Sequence, residues 1–270
     1  MDEVLPVIAK TVLGGVLVVA FAVLAQILEP KRFAGVFAAA PSVAIASLTV
    51  TVLGKGPSDA RIACTGMAAG AMGFVVYCLI APAAIRRWRP LRGSIVALVG
   101  WLATTVVVLP AAALTPAAEG AAAATGATRT ERRGTGRPPL RIAPGKLRDG
   151  RPRDWVVRFA FGAGTSLLAA VIALVAGPLV GGTLLAFPAI LLASLTLVAK
   201  EDGAARARDD ARGATFGALG LIAFGSLGAL CFGALAPPLV FVLCAVGWAI
   251  VGIGTFLVAW ASGAGADEPR

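Results

Sequence analysis

The chain has 270 residues, of which 58% are hydrophobic and only 14% are charged, and its mean hydropathy is +0.88. A soluble domain carries about 25% charged residues, so this composition excludes a soluble globular protein and indicates an integral membrane protein. The absence of histidine excludes His-based acid–base catalysis, Ser-His-Asp triads and His-ligated metal sites.

The net charge of +10 is concentrated in one polar segment. Residues 129–158 contain ten Lys and Arg but only three Asp and Glu. A basic segment between long apolar runs is typical of a cytoplasmic loop that lies beside anionic lipid headgroups. We therefore expect the bilayer and its anionic headgroups as partners of this segment, and no nucleic acid.

Uncharged runs long enough to cross a bilayer flank the basic segment. Four precede it, and two double-length runs follow it, split at Gly177-Pro178 and at Ala236-Pro237-Pro238. The runs are 11–28, 33–54, 62–85, 93–118, 159–199 and 213–266. They lack the alternation of barrel strands, so the sequence predicts an all-α, polytopic transmembrane helical bundle of about eight spans. The spans predicted in this way contain no Asp or Glu, which disfavours a proton-coupled exporter.

The two halves of the chain are similar in sequence. A shift of 147 residues places Gly35 on Gly182, Pro41 on Pro188 and Trp101 on Trp248, and 18 of the 67 positions from 35 to 101 are identical. This collinearity predicts two tandem four-helix repeats. We place the first repeat in residues 1–116 and the second in residues 154–264, joined by a basic cytoplasmic linker at 117–153.

The number of spans per repeat predicts how the repeats are oriented. Four is even, so both repeats should enter from the same side as parallel repeats. Under this arrangement 18 Lys and Arg lie on one side and six on the other, which places the N-terminus, the linker and the C-terminus in the cytoplasm. The separate halves show opposite charge bias, as inverted repeats would, but inversion needs a further crossing. The only candidate, 116–128, is short and weakly apolar.

The repeated motifs resemble the GlpM-like family of small bacterial inner-membrane proteins. The motifs are Ala34-Gly35, Pro41-Ser42 and Ser47-Leu48-Thr49, and in the second half Gly181-Gly182, Pro188-Ala189 and Ser194-Leu195-Thr196. Members are single units of about four helices, whereas this chain holds two. The resemblance implies a helical fold and an inner-membrane location. It assigns no biochemical activity to individual residues, although the GlpM name has been connected with exopolysaccharide production.

Prolines and hydroxyls form the candidate substrate site. Pro41 and Pro188 interrupt the second helix of each repeat, and interrupted helices at equivalent positions point to transporter binding sites. Prolines are also common as simple kinks in membrane helices. The hydroxyls that follow them could bind a solute or could bond to carbonyls of their own helix. These hydroxyl residues are Ser47, Thr49, Ser194 and Thr196.

The third helix of each repeat carries a stripe of glycines, which predicts close helix packing. The stripes are Gly66, Gly70 and Gly73, and Gly213, Gly217 and Gly220. The four cysteines lie singly in apolar runs, and no catalytic residue, metal site or cofactor is indicated, so we do not expect an enzyme.

These features favour a small-solute transporter or permease of unknown substrate, with its site at the repeat interface. The alternative is a non-transporting accessory component of an envelope or polysaccharide assembly. An oligomer is compatible with either function.

Overall fold

The computed structural model describes residues 4–29, 31–88, 90–114, 141–142, 152–188, 191 and 204–262. In this part of the chain the regular secondary structure is helical apart from one pair of two-residue strands and an isolated bridge between Phe232 and Leu235. Seven helices of the described residues are long and apolar enough to cross a membrane. The protein is therefore an all-α, multi-pass membrane bundle, which confirms the fold class predicted from composition.

The first half contains five helices and one short strand. They are α1 (Val4–Ile27), β1 (Leu28–Glu29), α2 (Lys31–Ala38), α3 (Ser42–Lys55), α4 (Pro57–Arg87) and α5 (Pro90–Leu114). Prolines begin both α4 and α5, where the missing amide costs no intrahelical hydrogen bond. Gly56 forms the tight turn between α3 and α4 with a φ of 88°, a conformation that favours glycine.

The second half contains three long helices within the described residues. They are α6 (Pro152–Thr183), α7 (Ala204–Cys231) and α8 (Pro237–Ala261), and β2 (Arg141–Ile142) precedes them. Gly177, with a φ of 86°, breaks α6, so that its last turns begin the sixth predicted span. Apart from Leu191, residues 189–199 of that span lie outside the described residues. The described part of the chain contains seven spanning helices, whereas the sequence predicts about eight.

The second predicted span of the first half is broken rather than kinked. Helix α2 ends at Ala38, Pro41 is not helical, and α3 begins at Ser42. The amides of Ala39 and Ala40 bond to carbonyls only three residues back, which closes the end of α2. The second half breaks at the equivalent place, because the helix gives way to a 3-10 turn at Leu184–Ala186 and Pro188 is not helical.

Equivalent helices of the two halves run antiparallel. Gly14 of α1 lies against Ser166 of α6, and Val18 of α1 lies against Gly162 of α6. Residue numbers therefore rise along α1 in the direction in which they fall along α6. The pair α4 and α7 is arranged in the same way, because Gly225 lies against Ala68 and Gly228 lies against Cys64. Antiparallel equivalent helices indicate halves related by an axis in the membrane plane. The predicted parallel arrangement is wrong.

The inverted arrangement places Leu114 at the end of α5 and strand β2 at opposite ends of the bundle. Helix α5 runs antiparallel to α4, since Gly93 lies against Ala84 and Gly73 against Trp101. Leu114 therefore lies at the end where α1 begins, which we call the amino-terminal end. Strand β2 pairs with β1 at the opposite end, where α1 finishes. Residues 115–140, which connect these two positions in the sequence, lie outside the described residues.

The two ends of the described chain are also separated. The last turns of α8 reach the end opposite to Val4, because Phe256 packs on Phe33 at the start of α2, with ring centroids 5.2 Å apart. The prediction that both termini share the cytoplasmic side with the linker is therefore wrong.

The halves interlock through their second and third helices. Helix α2 packs along α7, where Cβ atoms added at Gly213 and Gly217 would overlap the carbonyl oxygens of Arg32 and Val36. The last turns of α6 pack along α4 in the same manner, through Gly66 and Gly70 against Leu179 and Thr183. The two sets of contacts are equivalent, because each residue of one set lies 147 positions from its counterpart in the other. The predicted units 1–116 and 154–264 thus form one bundle, with α6 beginning two residues earlier than predicted.

Candidate solute cavity at the interface of the halves

A cavity of about 250 Å³ opens at the amino-terminal end of the bundle. Helices α1, α3 and α4 of the first half line it on one side, and α6 of the second half lines the other. Along α3 it extends from Lys55 to Ser47, which is roughly 12 Å at the helical rise of 1.5 Å per residue. The cavity therefore lies at the interface between the halves, where the sequence predicted a site.

Charged groups surround the mouth of the cavity, and small residues form its walls. Lys10, Lys55 and Asp59 lie at the mouth. Alanines and glycines of α4 and α6 form the walls, among them Ala63 and Gly182. Small side chains at these positions leave room for a ligand because no larger group fills the space between the helices.

Ser47 supplies a polar group in the deep part of the cavity. The residue is only 4% exposed, and its Oγ has no hydrogen-bond partner. Its carbonyl accepts a hydrogen bond of 2.8 Å from Thr51 Oγ1, which also lines the cavity. A buried hydroxyl without a partner costs about 1–3 kcal/mol, so a polar ligand that meets it would be stabilised.

Ser47 is the one predicted substrate-site residue that lines this cavity within the described part of the chain. Thr49 Oγ1 donates to Ile45 O at 2.7 Å, so this hydroxyl is satisfied on its own helix. Pro41 and Pro188 are buried at the helix breaks and do not line the cavity. Ser194 and Thr196 lie outside the described residues.

Sequence reasoning missed the charged mouth and Pro178. Lys10 was placed before the first span, but α1 begins at Val4, so Lys10 lies within the helix. A lone lysine inside an apolar helix was the signal that could have identified it. Pro178 follows the break at Gly177 and lines the cavity, and only the fold of α6 against α1 brings it there.

The six stripe glycines all lie at close contacts. Gly66, Gly70, Gly213 and Gly217 meet backbone of the other half, as described above. Gly73 and Gly220 meet Trp101 and Trp248 of the neighbouring helix in their own half.

Two carboxylates lie inside a spanning helix, contrary to the sequence prediction. Helix α7 begins nine residues before Gly213, and the spanning segment starts at Ala207. Asp209 and Asp210 are each only 4% exposed within it. Among the described residues, no group of Cys, Asp or Glu is suitably placed to hold a metal ion.

Residues 7–113 match a protein family described as a protein of unknown function, DUF3147. The matched stretch runs from α1 to the end of α5, so the first half of the chain is similar to this family. The comparison does not test the resemblance to the GlpM-like family, which stays a prediction. Neither a curated protein nor a solved structure matches the chain.

Proposed function

We propose that the protein is a permease for a small solute, which moves along the interface between two inverted halves. The observation that carries this proposal is the interface cavity that ends at the unpartnered Ser47 hydroxyl. Helix breaks at equivalent places in antiparallel halves support it, because many secondary transporters place their sites beside broken helices of inverted repeats. We also propose that the halves arose by duplication of a GlpM-like unit.

The charge distribution supports a bacterial inner membrane with one definite orientation. Among residues whose side chains the structure describes, Lys10, Lys55 and Arg61 lie towards the amino-terminal end. Eight arginines lie towards the opposite end, which we call the basic end: Arg32, Arg86, Arg87, Arg92, Arg153, Arg158, Arg208 and Arg212. Basic residues concentrate on the cytoplasmic side, so the basic end faces the cytoplasm and the cavity opens outward.

Packed side chains close the path below the cavity. Met67, Phe74 and Phe224 are essentially fully buried along α4 and α7, between the Ser47 region and the basic end. A closed path on this side is what a permease with alternating access requires in its outward-open form. Rearrangement at the helix breaks would open the other side.

A matched pair of substitutions on α3 tests the cavity. Ser47→Leu places a large side chain in the cavity, whereas Thr49→Leu adds similar bulk on a face that does not line it. In metabolite profiles of deletion strains that carry each variant, we expect Ser47→Leu to resemble the deletion and Thr49→Leu to resemble the wild type. If both variants fold and complement the deletion equally well, the proposal that solute passes through this cavity is wrong.

The prolines provide a second test. Alanine at Pro41 and Pro188 restores an amide at each break and favours a continuous helix. We expect the double variant to fold and to lose the metabolite phenotype, and each single variant to lose part of it. An accessory component would instead tolerate the double substitution, retain its protein partners in a pull-down and restore the deletion strain, and the permease proposal would then be abandoned.

A further inference from the structure

The mouth and the buried end of the Ser47 cavity differ in the polar groups that line them. Among the described lining residues, five have polar side chains: Lys10, Ser47, Thr51, Lys55 and Asp59. The charged ones keep access to solvent, since Lys55 is exposed and Lys10 and Asp59 are half-buried. The hydroxyl residues Ser47 and Thr51 are only 4% and 8% exposed. The described side chains therefore offer charge at the mouth and only hydroxyls at the buried end.

The sequence of the surrounding helices adds no charge beneath the mouth. The helices that line the cavity continue in the uncharged runs 11–28, 33–54, 62–85 and 159–199, none of which contains Asp, Glu, Lys or Arg. An ion that entered the buried end would lose water and gain no counter-charge from these runs. Burial of an unpaired ion costs far more than burial of a neutral group that is hydrogen-bonded. The buried end therefore favours an uncharged ligand.

The two buried hydroxyls offer different hydrogen-bonding groups. Ser47 and Thr51 are four residues apart and lie on one face of α3. Thr51 Oγ1 donates its single hydrogen to Ser47 O at 2.8 Å, so it can offer the cavity only lone pairs. Ser47 Oγ has no hydrogen-bond partner, so it can offer both its hydrogen and its lone pairs. A ligand that satisfies both hydroxyls must donate as well as accept.

We propose that this cavity binds a small, uncharged solute through a carboxamide or neighbouring hydroxyls placed between Ser47 and Thr51. A carboxamide donates N–H to Thr51 Oγ1 and accepts from Ser47 Oγ, and two hydroxyls do the same. A carboxylate only accepts and would meet lone pairs at Thr51, whereas an amidinium only donates and would bury its charge.

The size of the cavity limits the solute further. Its volume of about 250 Å³ lies below the roughly 300–1,000 Å³ of pockets that hold drug-sized ligands. The inference that the whole solute is uncharged rests on the permease proposal, because a solute carried along the interface passes the buried end in full.

Protection of an introduced cysteine tests this selectivity. In a full chain whose native cysteines are replaced by alanine, Val50→Cys places a thiol in the wall of the cavity. The rate of its modification by methyl methanethiosulfonate is measured with acetamide, acetate or acetamidinium, which have the same shape but different charge. At equal solute concentration and ionic strength, we expect acetamide to slow the reaction at least about threefold and the two ions to change it little.

Matched variants show whether the two hydroxyls are responsible. Ser47→Ala and Thr51→Val each remove a hydroxyl from the cavity, whereas Thr49→Val removes one that bonds to its own helix and does not line the cavity. We expect the first two to abolish protection by acetamide and the third to retain it. Ser47→Ala removes a buried hydroxyl that has no partner, so this variant should fold and serves if Thr51→Val does not.

The proposal is overturned if acetamide gives no protection, if all three solutes protect equally, or if protection survives Ser47→Ala. Stronger protection by acetate or acetamidinium would also overturn it, because the cavity would then be a site for an ion, but the permease proposal would stand. Complementation by Ser47→Leu would contradict the permease proposal whatever the protection experiment shows. The two failures are therefore distinguishable.

Discussion

Trp101 and Trp248 occupy equivalent places in the two inverted halves, and each donates its indole N–H to the carbonyl of a glycine 31 residues earlier. The acceptors are Gly70 and Gly217, at distances of 3.0 and 3.2 Å. The same glycines contact the second helix of the opposite half. Each tryptophan therefore fixes the third helix of its half at the point where the other half packs on it.

Removing either indole N–H should destabilise the bundle by a similar amount. Trp101→Phe and Trp248→Phe each remove a buried hydrogen bond and leave a small void, which we expect to cost about 1–3 kcal/mol of unfolding free energy. Unfolding in mixed micelles measures this loss. Trp88→Phe, at an exposed side chain, is the control and should change little. Unequal losses at Trp101 and Trp248 would contradict their equivalence.

Cysteine accessibility distinguishes inverted from parallel halves. In a chain whose native cysteines are replaced by alanine, Ser58→Cys and Ala234→Cys mark turns at the amino-terminal end. Trp88→Cys and Ser262→Cys mark the basic end. We expect a membrane-impermeant thiol reagent to label the first two in intact cells and the last two only after permeabilisation.

A parallel arrangement would group these positions differently. It would place Ser58 with Ser262, and Trp88 with Ala234, because four spans per half would return each half to its starting side. Labelling in that pattern would contradict the inversion. Labelling that reverses the two groups as a whole would keep the inversion and overturn only the proposed cytoplasmic location of the basic end.

Glycine contacts between the halves should tolerate no side chain. An alanine Cβ at Gly66 would overlap the carbonyl oxygen of Leu179, and one at Gly213 would overlap that of Arg32. We expect each Gly→Ala variant to lose about 2 kcal/mol or more, because helix association in membranes depends on close packing. Gly164 and Gly254 face open space, so alanine there should be neutral or stabilising by up to about 1 kcal/mol. Detergent melting curves compare the two groups.

The buried ion pair between Arg32 and Asp209 should be replaceable as a pair. Arg32→Leu alone removes the guanidinium that contacts the buried Asp209 carboxylate at 3.1 Å, at a cost of about 3 kcal/mol. The double variant Arg32→Leu with Asp209→Ile places the residues that occur at the equivalent positions of the other end, Leu179 and Ile62. We expect it to recover most of the lost unfolding free energy. A double variant no more stable than the single one would show that the pair is needed for folding.

Much of the architecture could be read from the sequence because it depends on local properties. Apolar runs predict spanning helices wherever the chain must satisfy its backbone within lipid, and the structure shows helices in the described parts of these runs. The 147-residue shift predicted which residues would be equivalent, and Trp101 and Trp248 make the same hydrogen bond in each half. Ser47 could be identified as a candidate because the motif Ser47-Leu48-Thr49 follows the proline of the first half and recurs as Ser194-Leu195-Thr196 in the second.

Only the tertiary structure decided the direction of the second half. Counting Lys and Arg assigns sides correctly only if the number of crossings between the two halves is known, and the composition of residues 115–140 predicts no spanning helix. The contacts between Gly14 and Ser166, and between Gly162 and Val18, decide direction directly because they give the sense of packing between two helices. With that direction, Arg86, Arg87 and Arg92, which lie on the minority side of the parallel count, join the other basic residues at one end of the bundle. Charge bias is a property of the assembled bundle, and it became consistent only when packing showed which helix ends lie together.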